Sequence, residues 1–419
     1  MKINFLIFIG LFLTYSSVAQ NEKQNYLSKN KFDLNKLKSF PQKGMKLIGF
    51  GAYHGSAKTE DAEILLFESI LKNEPIKFYF PETDFSIAYY LNEYLKSGDE
   101  ILLQDLIKNY GIRVPQERSI ETFNKWVKLR EINNNLPENK RVTVLGADIV
   151  VSYKYSFKHL LKLAEPGIGN WQKLDDLKRT VEIDTANFYP YKETYAKNLL
   201  KEFVSDFESN EALYAKFIND KKSFSHLIAT LKSSFKRGDR EENNYLNYVE
   251  LSKIYKFEND LKFFRYGFSH LLKIKEDDNN GASFFTKLIE KGVYKKEDII
   301  SIMGYLTESE VLWKDIFEDG KYVESKNEGG FGIGDYEKEY FKGIDELKKQ
   351  KVSDKTIFRL NKSESPYFVK NTSDLMEVIL DPAPEKQIDY TQKSTAEFID
   401  YAILISNSNA NTSIYKLKK

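Results

Sequence analysis

The stretch Lys46–Ser56 reads KLIGFGAYHGS and joins an apolar run to a histidine through a glycine-containing turn. A run of this kind predicts a buried strand that places His54 at its carboxyl end. The stretch Phe263–Lys273 (FFRYGFSHLLK) repeats the arrangement with His270. Ligands of open α/β sheets bind at the carboxyl ends of the strands, and histidine exchanges protons near neutral pH. These two histidines therefore favour an enzyme.

Further apolar runs alternate with helical patterns along the chain. Strands alternating with helices predict an α/β fold, with a mainly parallel sheet and helices on both faces. The predicted strands are Lys46–Gly51, Ile76–Phe80, Val142–Ala147, Leu261–Phe268, Ile299–Tyr305 and Tyr401–Ile405. The predicted helices between them are Thr59–Lys72 (with Thr59 as N-cap), Thr83–Lys96, Ile101–Tyr110 and Ile120–Asn134.

A helical insertion divides the predicted sheet. Residues 155–259 show no convincing strand pattern and three helical ones, at Tyr191–Phe207, Asn210–Phe235 and Glu241–Phe257. We therefore expect an α/β core of residues 21–154 and 260–419, and an insertion of residues 155–259. The insertion is either a cap over the site or a plain structural bundle. The segment Glu328–Asp335 (EGGFGIGD) predicts a flexible loop near the site.

The first twenty residues have the pattern of a secretory signal peptide. Lys2 precedes the short apolar run Phe5–Leu13, and Ser17–Ala19 fits the small-residue cleavage rule. The chain has no cysteine, which excludes disulfides and a cysteine-linked lipid anchor. We therefore expect a secreted or periplasmic protein without a membrane span. A net charge of +1 argues against a nucleic-acid partner and leaves a small-molecule substrate as the expected one.

Ionisable residues follow four of the predicted strands, namely His54, Glu82, Asp148 and His270. If these strands are parallel neighbours, the four side chains converge on one crevice. One histidine would then take a proton from water, a carboxylate would orient it, and the other histidine would stabilise or protonate the leaving group. Alternatively, His54, Glu82 and His270 would bind a divalent metal that activates the water.

Several other chemistries are disfavoured by the sequence. His-x-x-His and His-Glu-x-x-His spacings are absent, so we expect no metal and no cofactor. The Gly-x-Ser-x-Gly nucleophile motif is absent too, and there is no cysteine nucleophile. His159 and His226 fall inside helical patterns and are expected to be structural or exposed rather than catalytic.

Taken in order, these residues resemble the erythromycin esterase family. That family opens with a strand followed by Gly-Glu-x-x-His-Gly, and its other motifs recur here in the same order over nearly the whole mature chain. The similar segments are Gly51–Gly55, Phe80–Glu82 with Asn92–Asp99 (NEYLKSGD), Gly146–Asp148, Arg240–Glu241 with Asn247, His270, and Phe398–Ile414.

The sequence also departs from the family pattern. Gly51 or Ala52 stands where the family has the glutamate of Gly-Glu-x-x-His, and Gly267 stands where it often has a first histidine. Asn244 corresponds to a methionine of the arginine helix. Glu60 or Glu63 is a candidate to replace the lost glutamate, and compensation of a helix dipole explains these two acids equally well.

The resemblance implies a metal-independent hydrolase that cleaves an ester or lactone. The departures from the family pattern indicate a substrate other than a macrolide, or a site reduced to binding. His54 would be the general base, Glu82 would orient it, and His270 would stabilise the oxyanion or protonate the leaving alkoxide. Arg240, Asp148 and Asn247 are the expected substrate-binding residues. Two alternatives stay open: a metal-dependent hydrolase with the same residues, and a non-catalytic protein that binds haem or a glycan.

Overall fold

The structure is a computed structural model that describes residues 21–183, 187–236, 238–277, 281–328, 334–385 and 388–417. The predicted signal segment, residues 1–20, lies outside the described residues. So do residues 329–333 of the predicted glycine-rich loop. None of the described helices has the length and apolar character that crossing a membrane requires.

The fold is α/β, as predicted, and is built on a mainly parallel sheet. Within the described residues this sheet has eight strands in the order β1-β11-β13-β6-β2-β5-β3-β4. The six from β13 to β4 are parallel, and β11 and β1 add an antiparallel edge. The strands of this sheet are β1 (Lys31–Asp33), β2 (Leu47–Ala52), β3 (Ile76–Pro81), β4 (Thr143–Val144), β5 (Leu261–Tyr266), β6 (Ile299–Thr307), β11 (Lys355–Arg359) and β13 (Tyr401–Ser406).

Two smaller sheets follow β6. A two-stranded hairpin consists of β7 (Val311–Glu318) and β8 (Lys321–Glu328). A three-stranded antiparallel sheet consists of β9 (Asp335–Tyr336), β10 (Glu339–Phe341) and β12 (Val378–Leu380). Neither was predicted, because their strands are largely exposed and lack the continuous apolar runs of the central strands.

Helices cover both faces of the central sheet, and a separate apolar cluster lies under each face. The described helices are α1 (residues 21–29), α2 (Ala57–Leu71), α3 (Phe85–Ser97), α4 (Glu100–Tyr110), α5 (Ile120–Asn135), α6 (Tyr153–Leu163), α7 (Gln172–Val181), α8 (Tyr195–Ser209), α9 (Glu211–Tyr214), α10 (Lys221–Ser234), α11 (Arg240–Tyr255), α12 (Phe284–Glu290), α13 (Ile344–Gln350) and α14 (Thr395–Phe398).

The strand order creates a crevice at β2 and β5. The connection from β2 to β3 crosses β5, whereas the connection from β5 to β6 crosses β2 in the opposite direction. Because such crossovers are right-handed, α2 and α12 lie on opposite faces. Alternate residues of β2 accordingly belong to different clusters: Leu47 packs with Phe285 of α12, and Ile48 packs with Leu66 of α2. The carboxyl ends of β2 and β5 are thus left uncovered at a topological switch point.

The six predicted strands are all present, with differences at their ends. The third is reduced to Thr143–Val144, because the chain bends after it towards the start of α3. Helix α2 begins at Ala57 with Ser56 at its N-cap position, so the prediction of Thr59 as the cap is wrong. The short edge strands β1 and β11 were missed.

The described residues of the predicted insertion contain no strand and comprise helices α6 to α11 with the loops between them. Its side chains share one apolar cluster with a face of the sheet. Phe80 of β3, for example, stacks on Phe264 of β5 at 4.6 Å between ring centroids and lies 5.4 Å from the ring of Tyr248 in α11. The insertion therefore packs directly onto the sheet, and its role as a cap stays a prediction.

Two glycines of β2 make room for the loop that carries His270. A Cβ added at Gly49 would lie 2.7 Å from ring atoms of Phe285 and 3.0 Å from Leu271. At Gly51 it would lie 2.8 Å from the sulfur of Met303 and 3.2 Å from the backbone of Phe268. The short 3-10 turn Phe268–Leu271 can therefore sit against β2 only because these positions lack side chains.

We expect Gly49→Ala to lower the free energy of unfolding by about 1–3 kcal/mol, because the new methyl group overpacks a fully buried ring. Urea denaturation followed by circular dichroism would measure the change. Gly281→Ala is the matched control, since no described atom lies within 4 Å of a Cβ there. Equal stability of the two variants would contradict the packing argument.

Candidate active site

The four predicted strand-end residues lie at one edge of the sheet, with Glu82 at their centre. Oε2 of Glu82 is 3.3 Å from Nε2 of His54, and Oε1 is 3.9 Å from Nε2 of His270. The backbone N–H of Gly267 donates to Oε2 at 2.6 Å, which fixes the carboxylate. The structure thus brings together the three residues predicted to be catalytic. Their catalytic roles stay predictions.

His54 is held from its other side by Glu117, which the sequence analysis did not identify. Nδ1 of His54 lies 2.5 Å from Oε1 of Glu117, and Thr122 donates to Oε2 at 2.9 Å. Glu117 is 1% exposed and belongs to the 3-10 turn Pro115–Glu117, before α5. It follows no strand and has no fixed spacing from His54, so only the three-dimensional fold reveals the contact.

The two acids proposed to replace the family's glutamate do not contact His54. Glu60 and Glu63 of α2 instead bind Lys125, with Oε2 atoms 2.5 Å and 3.0 Å from its Nζ. Glu63 also accepts from the hydroxyl of Tyr79 at 2.5 Å and lies 3.4 Å from Nε of Arg265. Glu117 therefore supplies the carboxylate at the imidazole, and Glu60 and Glu63 belong to a charge cluster behind it.

His270 lies between Glu241 and Arg240, the first two residues of α11. Its Nδ1 is 2.6 Å from Oε1 of Glu241, and its Nε2 is 2.9 Å from Nη1 of Arg240. A guanidinium only donates, so Nε2 accepts in this arrangement and Nδ1 carries the proton. His270 can gain a second proton only when Arg240 moves away from Nε2.

Arg240 is occupied by protein carboxylates. Its Nε and Nη2 donate to the two oxygens of Asp148 at 3.0 Å and 2.6 Å, a two-pronged contact typical of arginine. Nη2 also donates to Oε1 of Glu82 at 2.6 Å. The guanidinium therefore links the two carboxylates that follow β3 and β4.

Asp148 and Asn247, both predicted to bind substrate, make contacts within the protein. Asp148 is 1% exposed and also pairs with Arg113, whose Nη1 lies 3.0 Å from Oδ1. The amide of Asn247 donates to the backbone carbonyls of Ala147 and Asp148 at 3.1 Å and 3.4 Å. Both residues thus position Arg240 and the loop after β4, and their predicted contact with substrate is left untested.

Nearby carboxylates raise the pKa of both histidines, and for His270 the second proton requires that Arg240 first leave Nε2. Burial lowers the pKa of His54, but the carboxylates of Glu117 and Glu82 outweigh burial and raise the pKa to about 9. Burial likewise lowers the pKa of His270, and Glu241 and Glu82 raise it to about 9. Burial raises the pKa of Asp148 to about 6, against the opposing effect of Arg113. At neutral pH these groups therefore bind more protons in the crevice than they would if they were exposed to water.

The other two histidines are structural, as their helical context predicted. His159 of α6 is 1% exposed and stacks on Tyr89, and His226 of α10 is 3% exposed and packs edge-on against Phe85. Burial lowers the pKa of His159 to about 3 and that of His226 to about 4. Both therefore stay neutral at ordinary pH.

The segment after β13 ties the turns of His54 and Glu117 together. The backbone N–H of Asn411 donates to the carbonyl of Gly55 at 2.7 Å, while its side chain donates to Ser119 at 3.1 Å. Ile414 donates to the carbonyl of Arg118 at 2.8 Å. One extended segment thus fixes both partners of the imidazole–carboxylate contact.

Two cavities adjoin the crevice. One, of about 200 Å³, is lined by His270, Glu241 and Ser269, among others. The other, of about 380 Å³, lies beyond Arg240 between Ile149 and Asn243. Across the described ranges, no group of three or more His, Cys, Asp or Glu side chains is arranged to hold a metal ion. The smaller cavity thus lies directly at His270.

Comparison with known proteins supports the fold alone. No protein-family model matches the chain, and no curated protein does. Among solved structures, a Bacillus cereus protein has a TM-score of 0.59 at 15% identity, covering 94% of this chain and 99% of that one. A succinoglycan biosynthesis protein has a TM-score of 0.60 at 14% identity, with 94% and 98% covered. A histidine-to-asparagine mutant of the erythromycin esterase EreC, in its open conformation, has a TM-score of 0.53 at 13% identity, with 90% and 93% covered. The chain therefore has a distant fold relationship to an erythromycin esterase.

Proposed function

We propose that this protein is an exported hydrolase that cleaves an ester or lactone with water activated by His54. The observation that carries the proposal is the fixing of Nδ1 of His54 by the buried carboxylate of Glu117. This contact sets the tautomer with the proton on Nδ1, so that Nε2 is the basic nitrogen. The fold shared with an erythromycin esterase supports the same reaction class.

In the proposed first step, neutral His54 takes a proton from a water molecule at Nε2. The water oxygen attacks the carbonyl carbon of the substrate, and the carbonyl oxygen gains the negative charge. The imidazolium that forms is stabilised by Glu117 at Nδ1 and by Glu82 beside Nε2. Such buried pairs are worth more than exposed ones, because water does not screen them.

In the second step, His270 protonates the departing alkoxide. Arg240 first leaves Nε2 of His270 and turns one N–H towards the developing oxyanion, and the imidazole, now facing Glu241 and Glu82, takes up its second proton from solvent. As the carbonyl group re-forms, the bond between its carbon and the leaving oxygen breaks, and this proton passes to that oxygen. The proton on His54 returns to solvent, which restores the starting state.

The surroundings of Arg240 narrow the choice of substrate. Its guanidinium already pairs with the carboxylates of Glu82 and Asp148, so its charge is compensated before any substrate enters. A neutral carbonyl can accept a hydrogen bond from it without displacing either carboxylate, whereas a substrate carboxylate would add a third negative charge. We therefore infer that the group bound at Arg240 is uncharged.

We expect His54→Ala to lower kcat/KM for an accepted ester or lactone by about 100-fold or more, the usual contribution of a general base. A panel of esters and lactones, followed by pH-stat or chromatography, would measure this. His226→Leu is the control and should keep near-wild-type activity, because this imidazole lies in the apolar core. EDTA should leave the rate unchanged.

Two outcomes would contradict this assignment. Equal turnover by the wild type and by His54→Ala would remove His54 from the chemistry. Loss of activity in EDTA, with recovery on adding a divalent metal, would instead make His54, Glu82 and His270 ligands of a metal.

We expect kcat/KM to rise with pH to a midpoint near 9, because only neutral His54 can accept a proton and its pKa is raised to about 9. In Glu117→Gln the negative charge is lost, so the midpoint should fall by about one unit or more. The plateau rate should also fall, since an amide stabilises the imidazolium less well. An unchanged midpoint in Glu117→Gln would show that another group governs the profile.

A further inference from the structure

A buried charge cluster lies behind His54 and contacts it through Glu117. We use this name for Glu60, Glu63, Glu117, Lys125 and Arg265, each of which is at most 6% exposed. Three of them are carboxylates and two are permanent cations. When every member is ionised, one negative charge remains, and burial makes an uncompensated charge costly. One additional proton, bound either by a residue of the cluster or by His54, brings the total charge of the cluster and His54 to zero.

The contacts show where that proton can reside. Glu63 is satisfied as a carboxylate, because Tyr79 donates to one oxygen and Lys125 and Arg265 pair with the other. Glu117 is also satisfied, by His54 and Thr122. Both therefore remain ionised.

Glu60 differs from these two carboxylates. Its Oε2 lies 2.5 Å from Nζ of Lys125, but among the described residues neither oxygen accepts a well-formed hydrogen bond. Burial, together with the nearby charge of Glu117, raises the pKa of Glu60. Of the three carboxylates, Glu60 is thus the one for which protonation costs least.

We propose that Glu60 and Lys125 are positioning residues that set the charge of His54 from behind, because the cluster holds one exchangeable proton that resides on His54 or on Glu60. When His54 is protonated, Glu60 is ionised and pairs with Lys125. When His54 is neutral and able to accept a proton from water, the proton of the cluster lies on Glu60. This inference concerns the acid–base state of the base in the proposed function, yet it can be tested without turnover.

The arrangement is one of connected charges rather than a single pair. The titratable and charged groups that surround His54, directly or through one neighbour, are Glu60 and Glu63 of α2, Glu82 after β3, Tyr110 of α4, Arg113, Glu117, Lys125 of α5, Asp148 after β4, Arg240 and Glu241 of α11, Arg265 of β5, and His270. Glu60 and Lys125 are chosen for substitution because neither is proposed to contact substrate, water or an imidazole.

The experiment is an NMR titration of ¹⁵N-labelled histidine side chains in the full-length folded protein. The chain has four histidines, and His159 and His226 stay neutral, so only His54 and His270 titrate above neutral pH. The His54 resonances are those that disappear in His54→Ala. Glu60→Gln should lower the titration midpoint of His54 by about one unit, a tenfold loss of proton affinity.

Lys125→Met should shift the midpoint in the opposite direction, because it removes a positive charge from behind His54. This variant leaves two carboxylates without their cation, so it is paired with the double variant Glu60→Gln/Lys125→Met, which removes one charge of each sign. The double variant should titrate close to the wild type. Asp105→Asn is the matched control, since Asp105 of α4 pairs with Lys154 and Tyr155 of α6, which lie outside the charge cluster.

Identical His54 midpoints in the wild type, Glu60→Gln and Asp105→Asn would overturn the inference. A shift in Glu60→Gln that is absent in Asp105→Asn supports it, whether or not Lys125→Met folds. The pH profile of turnover then tests the proposed function separately. If the NMR midpoint moves and the profile does not, the charge coupling stands and His54 is not the catalytic base.

Discussion

Charge neutrality in a buried space governs the architecture of the crevice. Six carboxylates meet four permanent cations at the carboxyl edge of the sheet, which leaves two negative charges. Two imidazoles are placed where they can supply the two missing positive charges. This explains why both have a raised pKa although burial alone would lower it. The groups proposed to be catalytic cannot be separated from those that stabilise the fold, because each carboxylate also stabilises a neighbouring positively charged group.

Much of the fold was readable from the sequence, because the central strands are apolar over their whole length. Strands such as β2 and β13 are buried on both faces and appear as continuous apolar runs. Strand β11 is paired with β1 and β13 yet has the sequence KTIFR, and β8 is largely exposed. From a single sequence, neither strand can be distinguished from a loop. Their pairing depends on tertiary contacts that local pattern does not contain.

The candidate site was predictable to the extent that its residues end strands. His54, Glu82, Asp148 and His270 share that position, and parallel strands bring their ends together. Glu117 lies outside this rule, since a short turn before α5 carries it and the C-terminal part of the chain holds that turn in place. The family pattern has a glutamate just after the first predicted strand, and the sequence has Gly51 or Ala52 in its place. The fold instead supplies the carboxylate from a different element, which no spacing around Gly51 would indicate.

The segment that follows β13 has a consequence for the order in which the crevice is assembled. Asn411 and Ile414 hold the turns of His54 and Glu117 in position relative to each other, although those turns lie hundreds of residues earlier in the chain. A growing polypeptide emerges with its amino-terminal part first, so the imidazole and its carboxylate exist long before the segment that aligns them. Assembly of the crevice therefore has to wait until residues 411–414 have been made. A chain that stops before this segment would have both the imidazole and its carboxylate, but not the contacts that hold their turns in place.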